Sequence, residues 1–328
     1  MLTMTSRFQP HPLLRGGHRQ TIGATLRRVD ERFAQTTRHT VPVSDEDTLV
    51  LHDDLPPGWR AGDASVLLIH GLCGSHESSY MVRLAKEWMA RGARPFRLDM
   101  RGCGDSLPLC EQITHAGRSD DVWAALNAIP RLTESGPLYA IGVSLGGNQL
   151  LRGLGQWGAG IVYPDFPGDR LRGAAAVAPP VDLMQCSENM GRWPMRFYNR
   201  FFIRLLLQRL PPQLAEQSEW AAMARDDPPR TLRELDDRFT APLAGYADAL
   251  DYYQHASAAS RLRQIPIPTL VLTSEDDPIV PVASLRNAAW SETCKLAITR
   301  HGGHVGYIGG RRHPRWLEQY LVEGLLQA

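Results

Sequence analysis

A glycine-flanked serine, Gly142-Val143-Ser144-Leu145-Gly146, an acidic triplet, Glu275-Asp276-Asp277, and two histidines, His301 and His304, follow one another in that order along the chain. A serine hydroxyl is a poor nucleophile at neutral pH. It attacks a carbonyl only when an imidazole takes its proton and a carboxylate fixes that imidazole's tautomer and offsets its positive charge. Serine, acid and histidine in this order suit acyl transfer through a serine. Asp277 is the preferred acid, because Asp277-Pro278-Ile279-Val280-Pro281 begins a rigid turn that can present a carboxylate. Asp276 is the alternative, and Glu275 is weaker. His304 is preferred to His301, since Gly302-Gly303 give it a flexible approach to the serine, while His301 follows a strand directly and suits a buried structural role. The oxyanion formed on attack needs two fixed N–H donors. Leu145, next after the serine, offers one, and the loop after His70-Gly71 offers the other, most simply at Leu72. Both are backbone roles, leaving the leucine side chains to pocket wall or core.

These residues must be carried to one place. Leu138 to Val143 is a short β-prone apolar run that passes through Ser144 into helix-compatible residues, the signature of a strand turning sharply into a helix. The turn leaves no space for side chains two positions either side of the serine, which Gly142 and Gly146 satisfy. Taken alone, the pentapeptide also fits a capping serine in a glycine-rich turn. Thr36 to Val43 and Thr48 to Asp54 alternate around Ser44-Asp45-Glu46-Asp47 and predict an edge hairpin. Buried strands are predicted at Ser65 to Ile69, Phe96 to Asp99, Gly173 to Ala178, Pro268 to Thr273 and Lys295 to Thr299. Helices are predicted around Tyr80 to Met89, over Ser119 to Ile129 and from about Pro314. Strand, loop and helix recur in order, so the fold class is α/β: a mostly parallel sheet flanked by helices. Ligands then bind beyond the carboxyl ends of the strands, where His70, Asp99 to Ser106, Ser144, Asp277 and His304 all fall.

The pattern changes between the sixth and seventh strands. Residues 181–263 read as helices rich in Arg, Leu, Phe, Trp and Met, broken by prolines, and are expected to cap the top of the sheet. Residues 1–35 show no clear strand or helix and read as an arm over the domain; residues 36–180 and 264–328 form the core. Trp193, Met195, Phe197, Phe201 and Phe202 could wall an acyl pocket, although packing the cap onto the core is the plainer role for most of them.

Among 328 residues, 43% are hydrophobic and 22% charged, and the net charge is +1. That suits a globular protein with a sizeable core and gives no sign of a nucleic-acid surface. Arg27-Arg28 and Arg311-Arg312-His313 read as solvated faces. No apolar run reaches membrane-spanning length and residues 1–12 lack a signal-peptide core, while peripheral contact with lipid stays open. Five scattered cysteines suggest a reduced, cytoplasmic protein, and the oligomeric state is open. His70, Cys73 and His76, with Cys103 and Cys110, have ligand-like spacing, but structural zinc takes tighter pairs. No metal and no cofactor is expected, and no nucleotide-binding fingerprint is present.

The chain resembles one branch of the α/β-hydrolases, the YheT-like esterases related to eukaryotic abhydrolase-domain lipases. The matching pieces include Gly16-Gly17-His18-Arg19-Gln20-Thr21-Ile22, His70-Gly71-Leu72 and Arg101-Gly102-Cys103-Gly104. Further ones are the Ser144 elbow with Gly147-Asn148, Asp237-Arg238-Phe239-Thr240-Ala241-Pro242-Leu243, Asp276-Asp277-Pro278 and His301-Gly302-Gly303-His304-Val305-Gly306. The arm, the cap segment and the last glycine–histidine run are the pieces most specific to the branch. The resemblance implies an α/β-hydrolase fold with a helical cap after the sixth strand. It also implies a Ser144–Asp277–His304 triad and hydrolysis of carboxylic esters, from short acyl esters to monoacylglycerol or phospholipid. Cys73 stands where an acidic residue is expected in many relatives. A thioesterase with the same triad and a non-catalytic lipid-binding protein on the same fold are the competing expectations.

Overall fold

The computed structural model describes residues 8–26, 33, 35–216, 222, 223, 225–310 and 314–327. Eight strands form one sheet in the order β1-β2-β4-β3-β5-β6-β7-β8. They are β1 (Thr37–Pro42), β2 (Thr48–Asp53), β3 (Ser65–Ile69), β4 (Arg94–Asp99), β5 (Leu138–Val143), β6 (Leu171–Val177), β7 (Thr269–Ser274) and β8 (Cys294–Thr299). β1 and β2 pair antiparallel, as does β2 with β4, and the remaining neighbours run parallel. The alternation in β3 shows why helices cover both faces. Leu67 and Ile69 enter one core with Trp123, Leu126, Leu150 and Leu154, from helices α3 (Ser119–Thr133) and α4 (Leu145–Gly158). Val66 and Leu68 enter the other with Met81, Leu84 and Trp88 of α2 (Ser79–Met89) and Leu317 and Leu321 of the C-terminal helix Trp316–Leu326. The expected α/β architecture is what the chain adopts.

The arm departs from expectation. Gly17–Leu26 is a helix, α1. Its sequence holds two glycines, two threonines and no apolar stripe, so intrinsic propensity and periodicity gave no sign of it. Tertiary hydrogen bonds hold it instead. The buried Gln20 amide donates to the carbonyls of Leu14 (2.8 Å) and Ile308 (3.1 Å), and its oxygen accepts from Ile308 N–H at 2.7 Å. The basic clusters at 27–28 and 311–313 lie outside the described residues.

After β6 the chain leaves the sheet through α5 (Leu183–Met190) and α6 (Arg196–Gln208), continues through short helical turns and the helix Ala249–Ala256, and returns at β7. Asn148 of α4 is buried where the excursion rejoins the core. Its side-chain amide donates to the carbonyls of Ala116 and Ala256, and its oxygen accepts from Ala258 N–H at 2.9 Å. Among the described residues, no helix is long and apolar enough to cross a membrane.

Candidate active site

Ser144 sits at the corner between β5 and α4 with φ of 52° and ψ of −117°. A non-glycine residue there carries backbone strain, and its surroundings explain how that strain is held. A Cβ at Gly142 would lie 2.4 Å from the Gly146 carbonyl oxygen, and one at Gly146 would lie 2.5 Å from that of His70. Only glycine fits at either position, so strand, loop and helix close tightly around the serine. Ser144 N–H donates to Val177 O at 2.8 Å, tying the corner to β6.

His304 reaches the serine from beyond β8. Its Nε2 lies 2.8 Å from Ser144 Oγ, and its Nδ1 lies 2.9 Å from Asp277 Oδ2. The other Asp277 oxygen accepts from the amides of Ile279 (2.8 Å) and Val280 (3.0 Å), which fixes the carboxylate in the turn after β7. With Nδ1–H donating to the acid, Nε2 presents a lone pair to the hydroxyl. The backbone of His304 is set by α1, since its N–H donates to Thr21 Oγ1 at 2.9 Å.

The neighbouring candidates go elsewhere. Asp276 accepts from Gly303 N–H at 2.9 Å and lies 3.2 Å from His301 Nδ1, so it shapes the loop that carries His304. Glu275 pairs with Arg286 at the surface. His70 is buried, with Nδ1 donating to Gly71 O (2.8 Å) and Nε2 accepting from Met100 N–H (3.3 Å). Burial pushes its pKa down, so it stays neutral and staples two loops together. Leu145 opens α4, leaving its N–H without a carbonyl partner within the helix. Leu72 lies in the turn closed by Gly74 N–H to Gly71 O at 2.9 Å, and both leucines line the cavity beside Ser144.

The ligand-like set around His70 does not assemble into a cage. Both nitrogens of His70 are taken by backbone groups, and Cys110 Sγ donates to Thr48 O. Burial raises the thiol of Cys73 to about 12 and pushes that of Cys103 higher still, so both remain protonated. His76 instead stacks on His52, ring centroids 3.5 Å apart and 13° from parallel, with both imidazoles bonded to the buried Asp99. With Asp105 these groups bring one donor atom each to within 4.8 Å of the others, a grouping that the spacing around His70 did not pick out. Asp99 also accepts from the amides of His76 (2.7 Å) and Asp105 (2.8 Å). Burial alone would raise its pKa, but hydrogen bonds from His52 and His76 outweigh it and hold the carboxyl well below the usual range. Asp99 therefore anchors the loop around Leu72. Sequence reading placed it at a strand end but gave it no task.

A cavity of about 540 Å³ opens over Ser144 and His304. Its wall comes largely from the excursion, through Phe197, Phe201, Phe202, Leu205 and Phe239, with Ile22 and Leu26 of α1. Packing onto the core was the expected role for most of the five large residues singled out from sequence, and it holds only in part. Phe197, Phe201 and Phe202 line the cavity, Met195 is buried beside Met190 and Tyr198, and Trp193 projects into solvent with 78% of its surface exposed. Two further contacts escaped sequence reading. Tyr80 Oη accepts from Gly71 N–H at 2.9 Å, and Arg209, just past α6, donates to the carbonyl of Cys73 at 2.5 Å. Cys73 itself adopts a left-handed conformation with φ of 57°.

A family model described as the alpha/beta hydrolase fold matches residues 64–310. YheT of Escherichia coli (strain K12) is 32% identical over 313 residues, which cover 94% of this chain and 89% of that protein. Phospholipase ABHD3 of Mus musculus is 28% identical over 250 residues, covering 75% of this chain and 59% of its own length. A monoacylglycerol lipase of Saccharomyces cerevisiae is 26% identical over 283 residues, covering 82% and 61%. The chain thus spans about three-fifths of these two eukaryotic relatives. Among solved structures, the Pyrococcus furiosus esterase Pf2001 superposes with a TM-score of 0.58 at 15% identity, over 92% of this chain and 98% of that one, a likeness of fold. With most of the sheet inside the family match and nearly the whole chain aligned to YheT, the protein belongs to the α/β-hydrolase fold family, in its YheT-like branch.

Proposed function

We propose that the protein is a serine hydrolase that cleaves carboxylic esters of apolar acyl groups through an acyl-enzyme on Ser144. The hydrogen-bonded line from Ser144 Oγ through His304 to Asp277, lying beneath an apolar cavity, carries this reading. His304 Nε2 takes the hydroxyl proton as Oγ bonds to the ester carbonyl carbon, and Asp277 stabilises the imidazolium. The carbonyl oxygen becomes an oxyanion held by the N–H groups of Leu145 and Leu72. Collapse breaks the ester C–O bond, with His304 returning its proton to the departing alcohol. Water, deprotonated by the same imidazole, then attacks the acyl-serine and releases the acid. Residues 181–263 act as a cap that supplies the acyl wall. The names of the phospholipase and monoacylglycerol lipase relatives support an ester of the lipid class.

A fluorophosphonate probe tests the nucleophile. The wild type should label, and Ser144→Ala should not. Ser144→Ala and His304→Ala should each lower turnover of p-nitrophenyl esters on the order of 10³-fold or more. A panel of p-nitrophenyl esters, monoacylglycerol, phospholipid and acyl thioesters separates ester from thioester and lipid specificity. Full activity in Ser144→Ala would end the proposal.

A further inference from the structure

Helix α6 and the turn before it carry two exposed ridges, one basic and one aromatic. Arg192, Arg196, Arg200 and Arg204 recur every four residues and all are exposed. Trp193 and Phe197, and beyond them Phe201, form an adjoining ridge, exposed by 78%, 64% and 38%. Among the described residues, none of these four arginines pairs with a carboxylate. Residues 189–215 hold five arginines and no Asp or Glu, a local charge of +5 in a chain whose total is +1. Exposed aromatics are costly in water while the guanidinium groups beside them are well solvated, and the pair suits an interface apolar on one side and anionic on the other.

The ridge stands at the mouth of the cavity. Phe197 and Phe201 line that cavity, and Ile22 and Leu26 of α1 line it too, with 40% and 74% of their surface exposed. α1 is fastened to α6, as His18 Nδ1 lies 3.0 Å from Tyr198 Oη and the two rings stack. The apolar residues of both helices therefore form one rim around the path to Ser144.

We propose that this rim docks on an anionic lipid bilayer, with Trp193, Phe197, Ile22 and Leu26 entering the headgroup region and the α6 arginines meeting acidic headgroups. Docking brings the cavity mouth against the bilayer, so a lipid reaches the serine without crossing bulk water. The surface goes beyond the proposed ester hydrolysis, and its binding needs no turnover.

The probe is vesicles of phosphatidylcholine alone, or with roughly one-third phosphatidylglycerol, cosedimented with full-length protein carrying Ser144→Ala. Binding is expected to the anionic vesicles, to be weak on neutral ones, and to be released at roughly 1 M salt. R192Q/R196Q/R200Q/R204Q should weaken anionic-vesicle binding on the order of 100-fold. Trp193→Ser should weaken it roughly tenfold. In the Ser144 background both surface variants should turn over a water-soluble p-nitrophenyl ester as the wild type does. That assay reads the proposed function separately, so a silent ester assay with intact vesicle binding overturns the former alone. Absence of anionic-vesicle binding in the parent protein overturns the docking surface. So does undiminished binding in Trp193→Ser or in the arginine variant. A salt-insensitive dimer that shields Trp193 and binds no vesicles assigns the rim to a second copy and also overturns it. If the arginine variant does not fold, the salt dependence of the parent and the Trp193→Ser variant still decide the matter.

Discussion

Asp276 and Asp277 are adjacent carboxylates with different duties. The Asp277 side chain is fully buried, with one oxygen on His304 Nδ1 and the other on two turn amides. Asp276 receives Gly303 N–H and His301. Asp277→Asn leaves the turn's shape but can no longer hold the donating Nδ1 tautomer, so kcat should fall on the order of 10³- to 10⁴-fold with little change in Tm. Asp276→Asn keeps an acceptor for Gly303, so kcat should fall by at most about tenfold, with a stability cost of about 1 kcal/mol. Steady-state kinetics and thermal melts of both variants check this; the same loss in each would reverse the assignment. The types and order of these side chains can be read directly from the chain. Which oxygen meets which nitrogen cannot, because that depends on how a few turn residues place two neighbouring Cβ vectors. Cys73 shows the same limit. Its left-handed backbone leaves no trace in a residue type that rarely adopts it.

At the scale of elements, the sheet and its major helices were legible because burial on two faces imposes a pattern on the sequence. Strands covered on both sides appear as apolar runs such as Val66-Leu67-Leu68-Ile69. α1 was not legible, since it is stabilised by hydrogen bonds to distant backbone rather than by an apolar stripe. Yet it braces the loop that bears His304. A Cβ at Gly303 would lie 2.4 Å from the Gly17 carbonyl oxygen, so helix and loop are in backbone contact. Gln20→Ala should strip the Ile308 amide and carbonyl of their buried partners and cost about 2–4 kcal/mol, measured by urea unfolding. Thr21→Ala removes the acceptor for His304 N–H; kcat should fall roughly tenfold while KM stays near wild type. A change in KM alone would point to the cavity wall rather than to His304. Arg209 makes the corresponding link from the excursion, through the Cys73 carbonyl, to the loop of Leu72. Parts remote in sequence thus meet at both loops flanking the serine.

For the whole molecule, the site depends on a sheet edge surrounded by titratable groups that burial has displaced. His115 lies in the loop before α3, edge-on to Tyr246 and Tyr252, with Gly117 N–H donating to its Nδ1 at 3.2 Å. Protonation there would oppose one N–H to another. Burial above all, then the charges of Arg118, Arg101 and Arg152, lowers its pKa from the ordinary 6.5 to about 3. Between those values the unfolded chain binds a proton that the folded protein refuses. The contribution of His115 to stability is therefore complete above about pH 6.5 and declines as pH falls towards 3, by up to ~1.4 kcal/mol per pH unit. Asp236, buried against Tyr253 and raised by that burial to about 6, works in the opposite sense, because the folded state holds its proton more tightly. Total acid stability mixes the two, so a difference measurement is needed. His115→Gln removes one titration and leaves the other. Urea unfolding free energies of wild type minus variant should fall by about 3 kcal/mol between pH 7 and pH 4. A difference that stays constant across that range would show that the imidazole accepts its proton in place, and that the loop before α3 is open to water.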